Sequence, residues 1–392
     1  MWGGGSIDGS RDGGVSAVPQ GQSLKIAVIG SRGLPFVYGG IERHVAEVGA
    51  RLASRGHAVT LFGRSPYSVP GIHRGMLVRT LPSIRTKNLE TATNTLAAVL
   101  RVLVEPYDIV HFHGVGPSIF VPLTVARGIT TVATIHAPDY RQSKWGAPAR
   151  ALLRFGERTA VRRAHAAIAV SKLMAESLET RYGRSVAYIP NGATLSDTPP
   201  FVEAGRLGIE RGRYVLALGR FIVERGFHTL LEAFARVASD RKLVIAGDAR
   251  FAGRYARRLK AMADARVVFP GHVSGTLLDE LYAHCAFYVL PSTVEGLPIS
   301  LLEAMSFSRP VVVSDIPENL EVAEGIAVTF KRGDPSDLAR ALRSMLDMDE
   351  RERERLGRLG RERVMREYTW DHVTDEVEHL YRRTISARGV GE

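Results

Sequence analysis

One cysteine, Cys285, stands in a chain of 392 residues. An internal disulfide and a cysteine-built zinc site are therefore excluded, and the usage fits a reducing compartment. Beside the apolar run 286–290 the thiol reads as a buried small hydrophobe. Nor does any apolar run approach the roughly 20 residues that a bilayer-spanning helix needs. The glycine fingerprint G-x-G-x-x-G is missing after the first apolar strand, which counts against a nicotinamide-dependent oxidoreductase. RNA-binding motifs and basic stripes interleaved with aromatics are also missing, so nucleic acid is discounted as the main partner. Acids are in short supply: 41 Asp and Glu face 52 Lys and Arg, a net charge of +11 that favours anionic partners. Residues 1–23 are rich in Gly, Ser and Asp, carry no periodicity and lack the apolar core of a signal peptide. They read as a disordered leader.

What is present is a β and α alternation that runs through the chain twice. Short apolar runs over 24–30, 58–62, 77–81, 108–113, 130–135, 166–170 and 186–189 read as strands separated by helical patterns. A second set follows over 214–218, 242–246, 267–269, 286–290 and 310–314. This predicts an α/β protein of two doubly wound, Rossmann-like domains whose parallel sheets face a central cleft. The boundaries expected are 24–190 for the first domain, 191–212 for a linker, 213–368 for the second domain, and 369–392 for a C-terminal helix crossing back, with its tail. Asn191-Gly192 is the candidate hinge.

The stretch from Pro291 to Met305 organises the second domain. A turn must follow the strand 286–290, and Pro298 suits the start of a helix because its missing N–H costs nothing there. Glu295 then stands before that helix and Glu303 within it, and between them the free N–H groups of the helix N-terminus suit an anion such as phosphate. Two acids flanking a phosphate-binding turn match a nucleotide sugar, one for sugar hydroxyls and one for ribose. After strand 214–218, Gly219-Arg220 and Arg225-Gly226 bring two guanidinium groups toward one anion. In the first domain, Gly39-Gly40 open a helix where backbone can approach a ligand closely. His136 and Asp139 follow a strand end, where α/β proteins place ligand contacts.

Other features have two readings. His111 and His113 share one side of a strand, as a metal pair would, but no third ligand is evident. Asp347-Met-Asp349 has a metal-binding spacing, yet it adjoins a charged stretch over 350–363 that reads as exposed helix. Over 147–165, Arg150, Arg154, Arg158 and Arg162 recur every four residues beside Leu152 and Phe155. That helix either rests on an anionic membrane or shows a solvated basic face.

Together the loop Gly39-Gly40-Ile-Glu42, His136, Ile189-Pro-Asn-Gly192, Gly219-Arg220 through Gly226 and the E-x7-E pair Glu295 and Glu303 resemble the retaining glycosyltransferases of family 4, with the GT-B fold. The likeness runs from about residue 24 to 383. The opening Arg32-Gly-Leu-Pro-Phe-Val-Tyr-Gly-Gly-Ile-Glu42 is most similar to a bacterial branch of polysaccharide and rhamnosyltransferase-like members. The resemblance implies a metal-independent enzyme with no cofactor beyond its nucleoside-diphosphate sugar. It implies donor contacts from Gly39, Gly40, Gly219, Arg220, Arg225, Glu295, Gly296, Leu297 and Glu303. Among these, Arg220 and Arg225 would hold the diphosphate, Glu295 the transferred sugar and Glu303 the ribose, with His136 near the reacting carbon. Glu42 and Asp139 are the acceptor-side candidates. The family usually has lysine where this chain has Arg225, so a planar fork replaces a point charge. A glycan, lipid-linked or small-molecule acceptor is expected, in the cytoplasm or at the inner membrane face. The alternatives are a GT-B nucleotide-sugar epimerase or hydrolase, then an oxidoreductase.

Overall fold

The computed structural model describes residues 22–35, 39–65, 67–84, 86, 89–142, 145–247 and 253–389. The expected leader lies outside them as far as residue 21, and so do Phe36, Val37 and Tyr38 of the opening motif.

The first half of the chain forms β1 (Lys25–Ile29), α1 (Gly40–Ser54), β2 (Ala58–Arg64), β3 (Gly71–His73), β4 (Met76–Leu81), α2 (Glu90–Val102), β5 (Ile109–His113), α3 (Val121–Ala126), β6 (Thr130–Ile135), α4 (Ala147–Arg163), β7 (Ala166–Ala169), α5 (Lys172–Tyr182) and β8 (Ala187–Tyr188). These strands make one sheet in the order β3-β4-β2-β1-β5-β6-β7-β8, parallel except where β3 pairs with β4. Alternation along β1 decides which layer each residue joins. Ile26 and Val28 face α1, while Ala27 and Ile29 face α2 and its neighbours on the opposite side. The second half forms β9 (Tyr214–Leu218), α6 (Phe227–Phe234), β10 (Lys242–Ala246), α7 (Gly253–Met262), β11 (Val267–Val268), α8 (Gly275–His284), β12 (Phe287–Leu290), α9 (Ile299–Ser306), β13 (Val311–Ser314), α10 (Pro317–Ala323), β14 (Ala327–Phe330), α11 (Pro335–Asp347) and α12 (Glu350–Glu367). Its sheet is wholly parallel, in the order β11-β10-β9-β12-β13-β14. Each face is covered by helices, as parallel strands require.

The chain crosses between the two sheets twice. Asn191 to Ala193 leads out of the first, and Tyr368 to Thr369 leads back to α13 (Trp370–Gly389), whose Trp370, Val373, Val377 and Tyr381 pack in the core shared with α1. The two crossings lie side by side: Ala193 bridges Thr369, and the Ala193 N–H donates to the Tyr368 carbonyl at 2.8 Å. Gly192 is there because no side chain fits. A methyl on it would stand 2.9 Å from both the Trp370 backbone nitrogen and its indole ring.

Several details depart from the sequence pattern. Pro298 caps α9 from outside, and the helix starts at Ile299. The segment 350–363 is not exposed all round, because Leu356, Gly357, Gly360 and Val364 bury one side of α12. Asp349 has a structural duty, capping α12 by accepting from the Arg351 N–H at 2.8 Å. Cys285 is fully buried, and burial pushes its thiol up to about 12. No helix among the described residues is long and apolar enough to cross a membrane.

Gly192→Ala should destabilise the protein by about 1–3 kcal/mol, the usual cost of forcing volume into a packed site. Thermal denaturation checks this, and an unchanged midpoint would mean that the crossing shifts freely to admit the methyl.

Candidate active site

In an open parallel sheet, ligands bind beyond the strand C-termini where neighbouring crossovers leave in opposite directions. In the first sheet that point lies between β1 and β5, and in the second between β9 and β12. The loops leaving these points face each other across a cleft of about 420 Å³. Such a volume is within the range of small-molecule sites.

Positive potential converges on this cleft from four directions. Arg220, at the end of β9, is half-buried, and its guanidinium makes no ion pair or hydrogen bond among the described residues. Burial, then the neighbouring Arg225 and Arg32, disfavours its charged form, and the more weakly coupled carboxylates of Glu42 and Asp139 oppose that. Arg225 lines the same wall. The other two contributions come from helix ends. α1 begins at Gly40 and α9 at Ile299, and neither N-cap, Gly39 or Pro298, offers a side chain to the orphan N–H groups. A methyl on Gly40 would lie 3.7 Å from Ile299 Cδ1, so the two helix starts meet across the cleft.

Two carboxylates complete the wall. Glu295, nearly buried, is ion-paired with Arg225 Nη1. Glu303 accepts from the Tyr282 hydroxyl at 3.1 Å and faces Arg43 Nη2 of α1 at 3.3 Å. Burial pushes the Glu303 carboxyl up, and Arg43 opposes that. Between these acids, Gly296 sits directly on the His136 backbone of the first domain. A methyl on it would stand 1.7 Å from the His136 carbonyl oxygen. Asn191 staples the same junction: its Nδ2 donates to the Leu297 carbonyl at 2.8 Å, and its Oδ1 accepts from His44 Nδ1 at 3.0 Å.

The cleft thus gathers Gly39, Gly40, His136, Asp139, Gly219, Arg220, Arg225, Glu295, Gly296, Leu297 and Glu303 in one lining. Glu42 is the exception. Its carboxylate turns back to accept from the Arg32 N–H at 3.3 Å and lies 3.1 Å from where a Gly39 methyl would be, so it braces the loop behind the wall. Asp139 lines the cleft and accepts from Gln142 Nε2 at 2.7 Å. Arg43 and Asn191 also line it, and neither stands out in the sequence as a ligand contact. The one cue for Arg43 was a cation in the first turn of a helix, where the macrodipole disfavours it.

Behind His136 lies a group that strand spacing only half disclosed. His113 Nδ1 and His136 Nε2 are 3.0 Å apart, and the His111 and His113 rings are 4.0 Å apart. His111 is held by Tyr381 Oη at 2.6 Å and Thr134 Oγ1 at 2.7 Å. His44 packs edge-on to His136 at 4.9 Å. Burial keeps all four neutral: His44 is pushed down to about 4, His111 to about 3, and His113 and His136 well below the usual imidazole range. His111 and His113 are therefore parts of a buried hydrogen-bonded stack. Among the described residues no group of three or more metal-ligating side chains is arranged so that it could hold a metal ion.

Two family models cover most of the chain: residues 38–197 match Glycosyltransferase Family 4, and residues 204–363 match Glycosyl transferases group 1. The chain belongs to the family 4-like glycosyltransferases of the GT-B fold. Over 410 aligned residues this glycosyltransferase is 28% identical to the alpha-maltose-1-phosphate synthase of Mycolicibacterium smegmatis, covering 92% of this chain and 99% of that one. Its structure is similar to sucrose-phosphate synthase from Thermosynechococcus elongatus, with a TM-score of 0.80 at 23% identity over 93% of this chain and 100% of the other. An Anabaena protein solved in complex with UDP and glucose gives a TM-score of 0.76 at 19% identity, over 91% and 99% of the two chains.

The histidine stack gives this glycosyltransferase an acid sensitivity with a definite sign. Folded-state imidazole values lie below the unfolded value of 6.5, so the unfolded chain binds more protons as pH falls. The contribution is complete above about pH 6.5 and is lost on acidification toward pH 4, on the order of 3 kcal/mol for His44 alone. Melting temperatures should fall over that window, and His44→Gln should fall less steeply. Parallel curves for the two proteins would show that His44 is not a source of the effect.

Proposed function

We propose that this glycosyltransferase moves a sugar from a nucleoside-diphosphate sugar to an acceptor hydroxyl with retention of anomeric configuration and without a metal. The observation that carries the reading is Arg220, a half-buried guanidinium with no acid at ion-pair distance among the described residues, facing two uncapped helix starts. Such a site is short of a doubly charged anion. A diphosphate supplies it, and the similarity to a protein solved with UDP and glucose supports that choice.

The chemistry follows from the charges. Breaking the bond between sugar and phosphate leaves an oxocarbenium-like sugar and new negative charge on the diphosphate, and fixed cations and N–H donors stabilise that charge most. In this reading Arg220 and Arg225 take the diphosphate, together with the N–H groups around Gly40 and those of Leu297 and the α9 start. The Arg225 to Glu295 pair must then separate, which delivers Glu295 to the hydroxyls of the transferred sugar. His136 lies beside Gly296, near the reacting carbon. A departing phosphate oxygen takes the acceptor proton on the face it leaves, so no enzymic base is needed. Closure of the two domains aligns the reactants and excludes water.

Peripheral contact with an anionic bilayer belongs to the same reading. On α4, Arg150, Arg154, Arg158, Arg162 and Arg163 are exposed, and Glu157, its one acid, is buried against Arg181 and Tyr182. Leu152 and Phe155 are 51% and 49% exposed on the same helix, and Leu96, Leu100 and Leu123 are exposed on α2 and α3 of the same layer. Apolar side chains beside an unopposed arginine row fit lipid headgroups and the acyl boundary beneath them. Asp139 and Gln142, just before α4, line the cleft, so an acceptor held at that surface would be close to the donor.

Release of nucleoside diphosphate from UDP-, GDP- and dTDP-sugars in EDTA tests the donor site, and Arg220→Ala should lower the rate about a hundredfold. NMR of the sugar product should show the donor's anomeric configuration. An inverted product, or full activity in Arg220→Ala, would contradict the mechanism. Sedimentation with phosphatidylglycerol vesicles should capture the wild type but not Arg154→Glu/Arg158→Glu/Phe155→Ser, with no capture by phosphatidylcholine. A concentration-dependent dimer without vesicle binding would show that a second copy covers this face instead.

A further inference from the structure

Arg43 occupies a position that its own helix only partly explains. It stands in the first turn of α1, where the macrodipole works against positive charge. Its local partner, Glu47, is 3.6 Å away, but that carboxylate is already held by Arg51 at 2.7 Å and Arg74 at 2.9 Å. Arg43 Nε is buried without a hydrogen-bond partner. What the side chain does reach is Glu303 of the opposite domain, at 3.3 Å.

That contact leaves Glu303 fixed from two sides. Arg43 of the N-terminal domain faces Oε1, and Tyr282 of the C-terminal domain donates to Oε2 at 3.1 Å. Each carboxylate oxygen has two lone pairs, so each keeps one for an incoming hydroxyl. Two neighbouring hydroxyls on one ring edge match this arrangement.

We propose that Arg43 is a positioning residue for the donor's ribose: it holds the Glu303 carboxylate in the orientation that accepts the two ribose hydroxyls, so that the ribose site is complete only with both domains in place. The proposal rests on the reading that a nucleoside-diphosphate sugar fills the cleft. Burial pushes Glu303 toward its protonated form, in which it would lose acceptor capacity, and the Arg43 charge opposes this. Ribose recognition is thereby tied to domain closure, because one of the two groups that fix Glu303 arrives on α1.

Calorimetric titration of the full chain with UDP, 2′-deoxy-UDP, GDP and 2′-deoxy-GDP tests this on wild type, Arg43→Ala, Arg43→Lys and Glu303→Gln. The wild type should bind one ribonucleotide about tenfold more tightly than its deoxy form, the scale of a hydrogen bond to a charged group. Arg43→Ala and Glu303→Gln should both lose that preference while still binding the diphosphate, and Arg43→Lys should recover part of it. A general loss of stability would weaken both nucleotides alike, so the ratio reports position and not folding. If Arg43→Ala does not fold, Arg43→Gln serves the same comparison. An undiminished ribose preference in the folded variant overturns the proposal and leaves the donor reading standing, as does a wild type that binds nucleotide without any ribose preference. Failure of the wild type to bind any of the four nucleotides overturns the proposal, and if dTDP does not bind either, the donor reading falls with it.

Discussion

A half-buried guanidinium with no carboxylate at ion-pair distance among the described residues is the condition on which the rest of this cleft depends. Arg220 is placed so, and its charge is further opposed by Arg225. Burying an unpaired charge is costly, and proteins ordinarily pair it or neutralise it. Here the surroundings add to the positive potential, because the unsatisfied N–H groups of α1 and α9 point into the same space. The acids of the cleft are engaged elsewhere: Glu295 with Arg225, Glu303 with Arg43 and Tyr282, and the two that act on Arg220 from a distance, Glu42 and Asp139, with the Arg32 N–H and Gln142. The result is a cleft short of negative charge, and in the proposed reading the donor diphosphate meets a preorganised site of the kind from which an enzyme draws most of its rate.

Close backbone approach makes this geometry attainable. Gly296 rests on the His136 carbonyl, and Gly226, with φ of 68° and its Cβ position 2.0 Å from the Pro291 carbonyl, lets the loop after β9 lie against the loop after β12. Neither contact survives a larger residue without movement. The hydrogen-bonded Asn191 and the paired crossings at Ala193 and Thr369 then set how the domains face each other. The three neutral histidines behind His136 fill that junction with polar groups, bonded to His136, Asn191 and Tyr381 of α13. The C-terminal helix is therefore linked to the cleft through His111 and His113.

Much of this was legible in the sequence because parallel strands buried on both faces read as continuous apolar runs. Both sheets could be followed that way, and Glu295 and Glu303 were visible because a helix start lies between them. Short or edge elements were not. β3 is three residues closed by a turn at Arg74-Gly75 with both φ values positive, and β14 interrupts a stretch dominated by charge. Side-chain partners were also hidden. Nothing in the spacing shows that Arg225 pairs with Glu295, since the two are 70 residues apart, or that Glu42 folds back on its own loop. The histidine stack draws on α1, β5 and the end of β6, so the spacing grouped only the pair on β5 and gave no sign that His44 and His136 join it.

Thermal melting in EDTA, with and without UDP, GDP or dTDP, tests the central claim most directly. A nucleoside diphosphate at about one hundred times its dissociation constant adds about 2.7 kcal/mol of stability. One of the three should raise the melting temperature without added metal, and Arg220→Ala should abolish the shift. Stabilisation by NAD alone, by no nucleotide, or to the same extent in Arg220→Ala would contradict it.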